Sequence, residues 1–144
     1  MNISQAFSIP AAALDAQRER LNIISSNLAN VDSTETAEGG PYRRRDVVFS
    51  AVPLDGSFQS ALKHEMGSVK QVQVSNVVHD PRPFRKVFEP GHPSANAEGY
   101  VQYPNVNAIE EMANMISALR SYEANVTVLN SIKSMALKAL EIGR

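Results

Sequence analysis

The sequence contains no cysteine among its 144 residues. This absence excludes disulfide frameworks, thiolate metal sites and cysteine nucleophiles together, without fixing the redox compartment. The remaining composition is typical of a soluble globular protein, since 43% of the residues are hydrophobic and 20% are charged. The chain is therefore long enough for one ordinary domain with a modest core.

Long apolar runs and an excess of one charge are also missing. No stretch approaches the roughly 20 apolar residues that cross a membrane, so we expect no direct membrane insertion. The short apolar run at 9–14 is followed at once by Asp15 and has no basic region before it, so we expect no cleaved secretory signal. The net charge of −1 gives no general attraction to nucleic acid or to an anionic membrane.

One basic cluster interrupts this balanced composition, at Arg43, Arg44 and Arg45. Three arginines followed directly by an aspartate are too few to indicate a nucleic-acid surface. We expect instead that Arg43 and Arg45 reach acidic groups on a partner or on residues 32–38.

The patterns that carry enzyme chemistry are absent as well. The three histidines, His64, His79 and His92, stand in separate turn-like contexts, and no HExxH pair or acidic cluster has metal spacing. No glycine-rich phosphate loop and no G-x-S-x-G nucleophile elbow is present. The sequence therefore predicts no catalytic site, no metal site and no cofactor.

Proline and glycine are concentrated in the middle of the chain. All but one of the 8 prolines and all but one of the 7 glycines lie between Gly39 and Pro104. Because both residues interrupt regular structure, this distribution predicts an N-terminal helix at 1–38, a central β-rich lobe at 39–104 and a C-terminal helix at 105–144. The expected fold class is α+β, with the two long helices packed as a coiled-coil-like pair beside the lobe.

The first segment repeats apolar residues every seven positions, which is the spacing of a narrow coiled-coil seam. A helix is predicted over 8–31, with Pro10 in its first turn, although Ile3 and Phe7 could belong to an earlier, kinked turn. The last segment is predicted as a helix over 108–142, with Asn107 as the N-cap and Glu110 in a capping-box position. Its expected seam comprises Met112, Met115, Leu119, Tyr122, Val126, Leu129, Ala136 and Leu140.

The central segment contains four pieces rich in β-branched and aromatic residues. They lie at 46–52, 69–75, 84–89 and 100–103, and turn residues separate them. We expect a small antiparallel sheet. Residues 56–66 are compatible with a short helix or with a loop.

The two predicted helices are long for a chain of this size. At 1.5 Å per residue they extend roughly 36 and 52 Å, whereas a compact domain of this length has a radius of gyration of only about 14 to 15 Å. Both helices also carry apolar residues outside their seams. Either the central lobe covers this surface or neighbouring chains do.

Two terminal segments resemble a known family. Residues 25–36 read SSNLANVDSTET and are followed by GGPYRRRDVVF, a combination similar to the N-terminal signature S-x-N-L-A-N-x-x-T of bacterial flagellar rod, hook and hook-associated proteins. The C-terminal segment EEMANMISALRSYEANVTVLNSIKSMALKALEIG is similar to the C-terminal helix of that family. The segment at 80–107 resembles the proximal rod members in particular. The resemblance spans about 14–143 and is weakest at 51–76.

The resemblance implies a structural subunit of the basal-body rod that transmits torque across the periplasm. Its implied partners are other rod proteins, proximal and distal, copies of itself in a helical tube, and the flagellar type III export apparatus. In that family the terminal helices pack against neighbouring subunits. Two rival functions stay open from the residues alone: a self-contained helical-hairpin adaptor of a secretion-type assembly, and a hydrolase with His79 or His92 in its site.

An assembly interface along the helix seams is the corresponding site hypothesis. A buried amide in such a seam penalises wrong registers because a slipped neighbour leaves it unpaired. The alternative is that these asparagines are simply solvated or cap local turns. The expected interface positions are Leu14, Leu21, Asn27, Leu28, Asn30, Met112, Asn114, Leu119, Tyr122, Asn125, Val126, Leu129 and Asn130.

Overall fold

The computed structural model describes residues 3–54 and 69–142. In chain order, one long helix comes first, two small antiparallel sheets follow, and a second long helix comes last. This arrangement confirms the predicted α+β fold class. The segment at 56–66, for which the sequence left helix or loop open, lies outside the described residues. The elements are α1 Ile3–Ala29, β1 Arg45–Pro53, β2 Lys70–His79, β3 Arg85–Phe88, β4 Tyr100–Tyr103 and α2 Ala108–Ile142.

Helix α1 begins earlier than predicted. It starts at Ile3 instead of residue 8, so Pro10 lies inside the helix and not in its first turn. A proline at this place removes one backbone hydrogen bond and crowds the turn before it. The ring of Pro10 is buried, and its burial helps to offset that cost.

Helix α2 has the predicted bounds and contains 35 residues, which corresponds to a length of about 52 Å. Asn107 caps it as expected, because its Oδ1 accepts the backbone N–H of Ile109 at 3.0 Å. The reciprocal capping-box bond from Glu110 does not form. The Glu110 carboxylate instead pairs with Arg82 at 3.4 Å.

The two helices pack against each other. A hydrogen bond joins Asn27, near the end of α1, to Glu111, in the first turn of α2, so the pair runs antiparallel. The buried apolar residues of the two helices include Ala16, Ile23 and Ile24 on α1 and Ala118 on α2. They form a small core.

The central lobe consists of two separate hairpins. Strands β1 and β2 pair antiparallel with one bulge between Val48 and Phe49, and this hairpin lies against α1. Strands β3 and β4 pair in a shorter ladder whose inner side buries Val101 completely. Gly99 precedes β4 with a φ of +82°, and a Cβ there would lie 2.9 Å from the Phe88 ring, so only glycine fits.

Candidate functional site

Four polar or charged residues are buried where the two helices meet the central lobe. Asn27 and Glu111 are fully buried, while Arg44 and Asp80 keep 7% and 9% of their surface exposed. They come from the end of α1, the residue before β1, the residue after β2 and the first turn of α2. We call these four residues the hub. Because burying polar groups is costly unless they are paired, their partners define what the hub does.

The side-chain amide of Asn27 uses all of its hydrogen-bonding groups within the chain. Its Nδ2 donates to the Arg45 carbonyl at 2.8 Å and to Glu111 Oε2 at 2.9 Å. Its Oδ1 accepts the Tyr42 hydroxyl at 2.9 Å and the backbone N–H of Arg45 at 3.0 Å. One amide thus fastens α1 to the start of β1 and to α2.

The carboxylate of Glu111 is held from two sides. Arg44 Nε donates to Glu111 Oε1 at 2.7 Å, and the second oxygen accepts the bond from Asn27. Burial alone would lower the pKa of the Arg44 guanidinium, but its hydrogen bonds to Glu111 and Asp46 outweigh burial and raise that pKa above its ordinary value. The Arg44 guanidinium is therefore charged, and its hydrogen bond to Glu111 helps to offset the cost of burying it.

Asp80 extends the hub toward the protein surface. Its Oδ2 accepts Arg82 Nη2 at 2.7 Å and Arg44 Nη1 at 3.3 Å. The hydrogen bond from Arg82 lowers the pKa of Asp80 from 3.8 to about 2. Arg44 also pairs with Asp46 at 3.0 Å, so one guanidinium contacts three carboxylates.

Asn105, just before α2, completes the hub with bonds to the backbone. Its Oδ1 accepts the Arg44 N–H at 2.8 Å, and its Nδ2 donates to the carbonyls of Asp80 and Arg82 at 3.2 and 3.0 Å. The Asp80 N–H donates in turn to the Arg44 carbonyl at 2.8 Å. The backbone on both sides of the first hairpin is thus tied to the segment that starts α2.

The chemistry of the hub is that of a structural joint. The cavity beside it has a volume of only about 10 Å³, which is room for no more than a water molecule. In the part of the chain that the structure describes, no group of three histidine, aspartate or glutamate residues could hold a metal ion. The arrangement can fix the angle between the helix pair and the β lobe, since its bonds join all of these elements.

The apolar seam of α1 differs from the predicted one. Leu14, Leu21 and Leu28 are half-buried. Ile23, which the sequence placed outside the seam, keeps only 8% of its surface exposed and lies in the core beside Ile24. Compared with the predicted seam, the buried face of α1 is shifted toward Ile23. The fully buried Asn27 lies four residues after Ile23 and therefore on the same face of the helix.

The seam of α2 is displaced by about one residue. Met115, Tyr122, Val126 and Leu129 are half-buried as expected. Met112, Leu119 and Leu140 are exposed by 49%, 44% and 72%, so they are not buried within the chain, and the place of Met112 and Leu119 in an assembly interface stays a prediction. The completely buried positions are Glu111 and Ala118, one residue before Met112 and Leu119, because the pairing of Glu111 with Arg44 turns that face inward.

The predicted amides fall into different environments. The prediction that Asn27 faces other chains is not what the geometry shows, since this amide is saturated inside its own chain. Asn30 and Asn125 donate to backbone carbonyls four residues earlier, at 2.8 Å in both cases. Asn114 lines the small cavity beside the hub, and Asn130 is exposed. The interface formed by these positions as a set stays a prediction.

Sequence reasoning missed the charged members of the hub. In the sequence, Glu111 is one of two adjacent glutamates that suit the positive end of a helix dipole, and Arg44 is the middle one of three consecutive arginines, so neither residue stands out. Arg43 and Arg45 do not reach acidic groups on residues 32–38, because Arg43 bonds to the Asp80 carbonyl and Arg45 bonds to Tyr42 and Ser26. One signal in the sequence could have identified Arg44. Side chains alternate between opposite sides of an extended backbone, so the middle of three arginines points away from its two neighbours.

An apolar stripe on the outer face of α2 is the second feature that bears on function. Its members recur at helical spacing, so they share one face. They are exposed by between 44% and 76%. We call Ile109, Met112, Ile116 and Leu119 the α2 stripe. Among the described helices none is long and apolar enough to cross a membrane.

Comparison with known proteins identifies flagellar sequences at both ends of the chain. Residues 10–37 match the family described as flagella basal body rod protein. Residues 97–142 match the family described as the C-terminal region of flagellar basal body rod FlgEFG proteins. These two segments contain most of α1 and all of α2.

Curated relatives extend the similarity along the full chain. The flagellar basal-body rod protein FlgC of Yersinia enterocolitica is 46% identical over 144 residues, which is 100% of both chains. FlgC of Bacillus subtilis is 44% identical over 152 residues and is also covered completely. FlgC of Borreliella burgdorferi is 39% identical over 149 residues, covering 99% of this chain and 98% of its own. Full-length similarity at this level shows that the chain belongs to the FlgC family of flagellar basal-body rod proteins.

Proposed function

We propose that this chain acts as a proximal rod subunit in which the hub fixes its own shape and the α2 stripe contacts neighbouring subunits. Members of the FlgC family are structural rod proteins of the basal body, not enzymes. Assembly with other rod components follows from that membership. Proximal position, torque transmission and passage through the type III export apparatus belong to the proposal.

The observation that carries the proposal is the exposure of the α2 stripe. Ile109 is 76% exposed and Ile116 is 53% exposed, although both lie on a well-formed helix with charged residues elsewhere on its surface. A contiguous row of apolar side chains in contact with water is typical of a surface that another molecule covers. A subunit of a closed tube has such neighbours on more than one side.

The experiment is deletion of the gene followed by complementation and electron microscopy of basal bodies. We expect the deletion to abolish rods and hooks, and the wild-type gene to restore them. Complementation with the double variant Ile109→Ser and Ile116→Ser is expected to fail. The purified variant should keep the circular dichroism of the wild type, because neither side chain is buried in the monomer.

Val128→Ser is the matched control. Val128 is 47% exposed on the same helix but lies outside the α2 stripe, so rods are expected to form. Intact rods in the deletion strain would refute the proposed function. Normal rods with the double variant would leave the family assignment in place and would exclude the α2 stripe as an assembly surface.

A self-contained adaptor is the second candidate, since the hub gives the monomer an organised junction. It predicts a chain that binds one partner without polymerising and a deletion strain that still builds rods. The same microscopy therefore separates the two functions.

A further inference from the structure

An open groove with a volume of about 660 Å³ lies beside the hub and plays no part in joining the helices. Arg43 and Arg45 line it together with the rings of Tyr42 and Phe84. Among the carboxylates of the described residues only Glu38 lines this groove. We call it the arginine groove.

The two groove arginines are separated from the hub by the geometry of extended backbone. Side chains alternate between opposite sides along an extended segment, so Arg44 points one way and its two neighbours point the other. Arg44 contacts three carboxylates, those of Asp46, Asp80 and Glu111. Within residues 3–54 and 69–142, neither Arg43 nor Arg45 forms an ion pair.

Arg43 is held in place by uncharged partners. Its Nη1 donates to the carbonyls of Asp80 and Arg82 at 2.9 and 3.3 Å, and its guanidinium lies 4.3 Å from the centre of the Phe84 ring. Its Nε and Nη2 make no hydrogen bond with the described part of the chain. The orientation is fixed, yet the charge is not neutralised.

Arg45 is also held by uncharged partners. Its Nε donates to the Tyr42 hydroxyl at 3.1 Å and its Nη2 donates to Ser26 Oγ at 2.8 Å. Its Nη1 makes no hydrogen bond with any described residue. Because Tyr42 also bonds to Asn27, the hub positions this guanidinium as well.

We infer that the arginine groove is a docking site for an acidic protein segment, whose carboxylates bind Arg43 and Arg45. Two oriented guanidinium groups with spare N–H donors match carboxylates in charge and in hydrogen-bond geometry. A nucleic acid or a lipid surface presents many phosphates and needs a broad basic face, whereas this chain has a net charge of −1 and Glu38 beside the groove. Only the identity of the partner, a neighbouring rod subunit, rests on the proposed function.

The test uses the full-length chain and a blocked hexapeptide of alternating glutamate and glycine. NMR of the arginine side-chain Nε–H groups follows the titration, with a glutamine–glycine peptide of the same length as the reference. We expect the Arg43 and Arg45 signals to shift with the glutamate peptide alone. Arg43→Gln should weaken binding about tenfold, and Arg43→Lys should retain part of it.

Arg120→Gln is the matched control, because it removes the same charge from an exposed position on α2. Its binding should equal that of the wild type, and circular dichroism should show that every variant is folded. Equal response to both peptides, or no response, would overturn the inference. Tighter binding of inorganic phosphate than of the glutamate peptide would overturn it too, since the groove would then be a phosphate site.

The two proposals fail in different ways. Loss of rods in the deletion strain together with no peptide binding would retain the rod function and reject the arginine groove. Binding of the glutamate peptide to the purified chain, together with intact rods in the deletion strain, would retain the arginine groove and reject the rod function. Rods that form normally with Arg43→Gln and Arg45→Gln together would show that no rod contact uses the groove.

Discussion

The two ends of helix α2 have opposite surroundings. At its first turns, Glu111 and Ala118 are completely buried against the rest of the chain. Toward its last turns, Met135 and Leu140 are exposed by 62% and 72%. One face of the first turns is thus buried inside the monomer, whereas the far end, like the α2 stripe beside that buried face, exposes apolar side chains to other molecules. A subunit of a larger assembly needs both kinds of end.

The physical difference lies in the kind of interaction. The hub uses charged and amide groups whose hydrogen bonds fix distances and directions, and a missing partner is costly because the remaining group stays buried. The exposed apolar side chains at the far end of α2 make nondirectional contacts, which different neighbours can provide.

Glu111→Ala should cause the largest loss of stability. The substitution leaves Arg44 buried without its main partner, and breaking a buried ion pair costs about 3 to 5 kcal/mol. Urea unfolding followed by circular dichroism measures the change. Glu123→Ala, on the exposed side of the same helix, is the control and should stay within about 0.5 kcal/mol of the wild type. Equal stability of the two variants would show that the buried pair of Glu111 and Arg44 contributes no more than an exposed carboxylate of the same helix.

Asn27→Leu should reduce folding stability by about 2 to 4 kcal/mol, because the Glu111 and Arg45 groups that the amide satisfies become unpaired. The sequence alone predicts a larger effect on assembly than on folding. The structure reverses that order. Asn130→Leu, at an exposed position, is the matched control and should not change the urea midpoint. A stable Asn27→Leu monomer that fails to form rods would restore the original hypothesis.

Stability should also fall in acid through Asp80. Its pKa is lower in the folded state, about 2 compared with 3.8, so it contributes stability above pH 3.8 that is lost as the pH falls toward 2. The contribution is on the order of 1 to 2 kcal/mol, because Arg82 is half exposed and solvent screens the pair. Urea unfolding at a series of pH values measures it. Asp80→Asn should remove this part of the pH dependence, and an unchanged slope would contradict the pairing.

Leu140→Ser should have the smallest effect on the monomer. The side chain is 72% exposed, so the unfolding free energy should change by less than about 0.5 kcal/mol. Ala118→Ser, at a completely buried position of the same helix, is expected to be clearly more destabilising than Leu140→Ser. Thermal unfolding of both variants measures the difference. A large loss of stability with Leu140→Ser would mean that the far end of α2 also packs against the rest of the chain.

The secondary structure was predictable because its signals are local. The bounds of α2 follow from the Asn107 cap and from a run without proline or glycine, and the strands follow from β-branched pieces between turns. The start of α1 was not predictable by the same reasoning. Pro10 is a good first-turn residue, but it is also tolerated inside a helix when its ring is buried.

The hub was not predictable from the residues that form it. Asn27 and Glu111 are 84 positions apart, and Arg44 and Asp80 are 36 positions apart. No local sequence pattern spans such separations, so neither pair can be recognised from neighbouring residues. A glutamate in a first helical turn is ordinarily a solvated residue that favours the dipole. Only the approach of Arg44 makes its burial stable, and that approach depends on the packing of the lobe against both helices.

Local sequence patterns determine the order of the elements, the length of α2 and the membership of a structural rod family, because periodicity, turn residues and family motifs are all properties of consecutive positions. The tertiary structure alone decided which faces of the helices meet, that Asn27 serves its own chain, and that Arg43 and Arg45 remain available to a partner. Burial and the pairing of charges depend on distances between remote segments, and those distances exist only once the chain is folded.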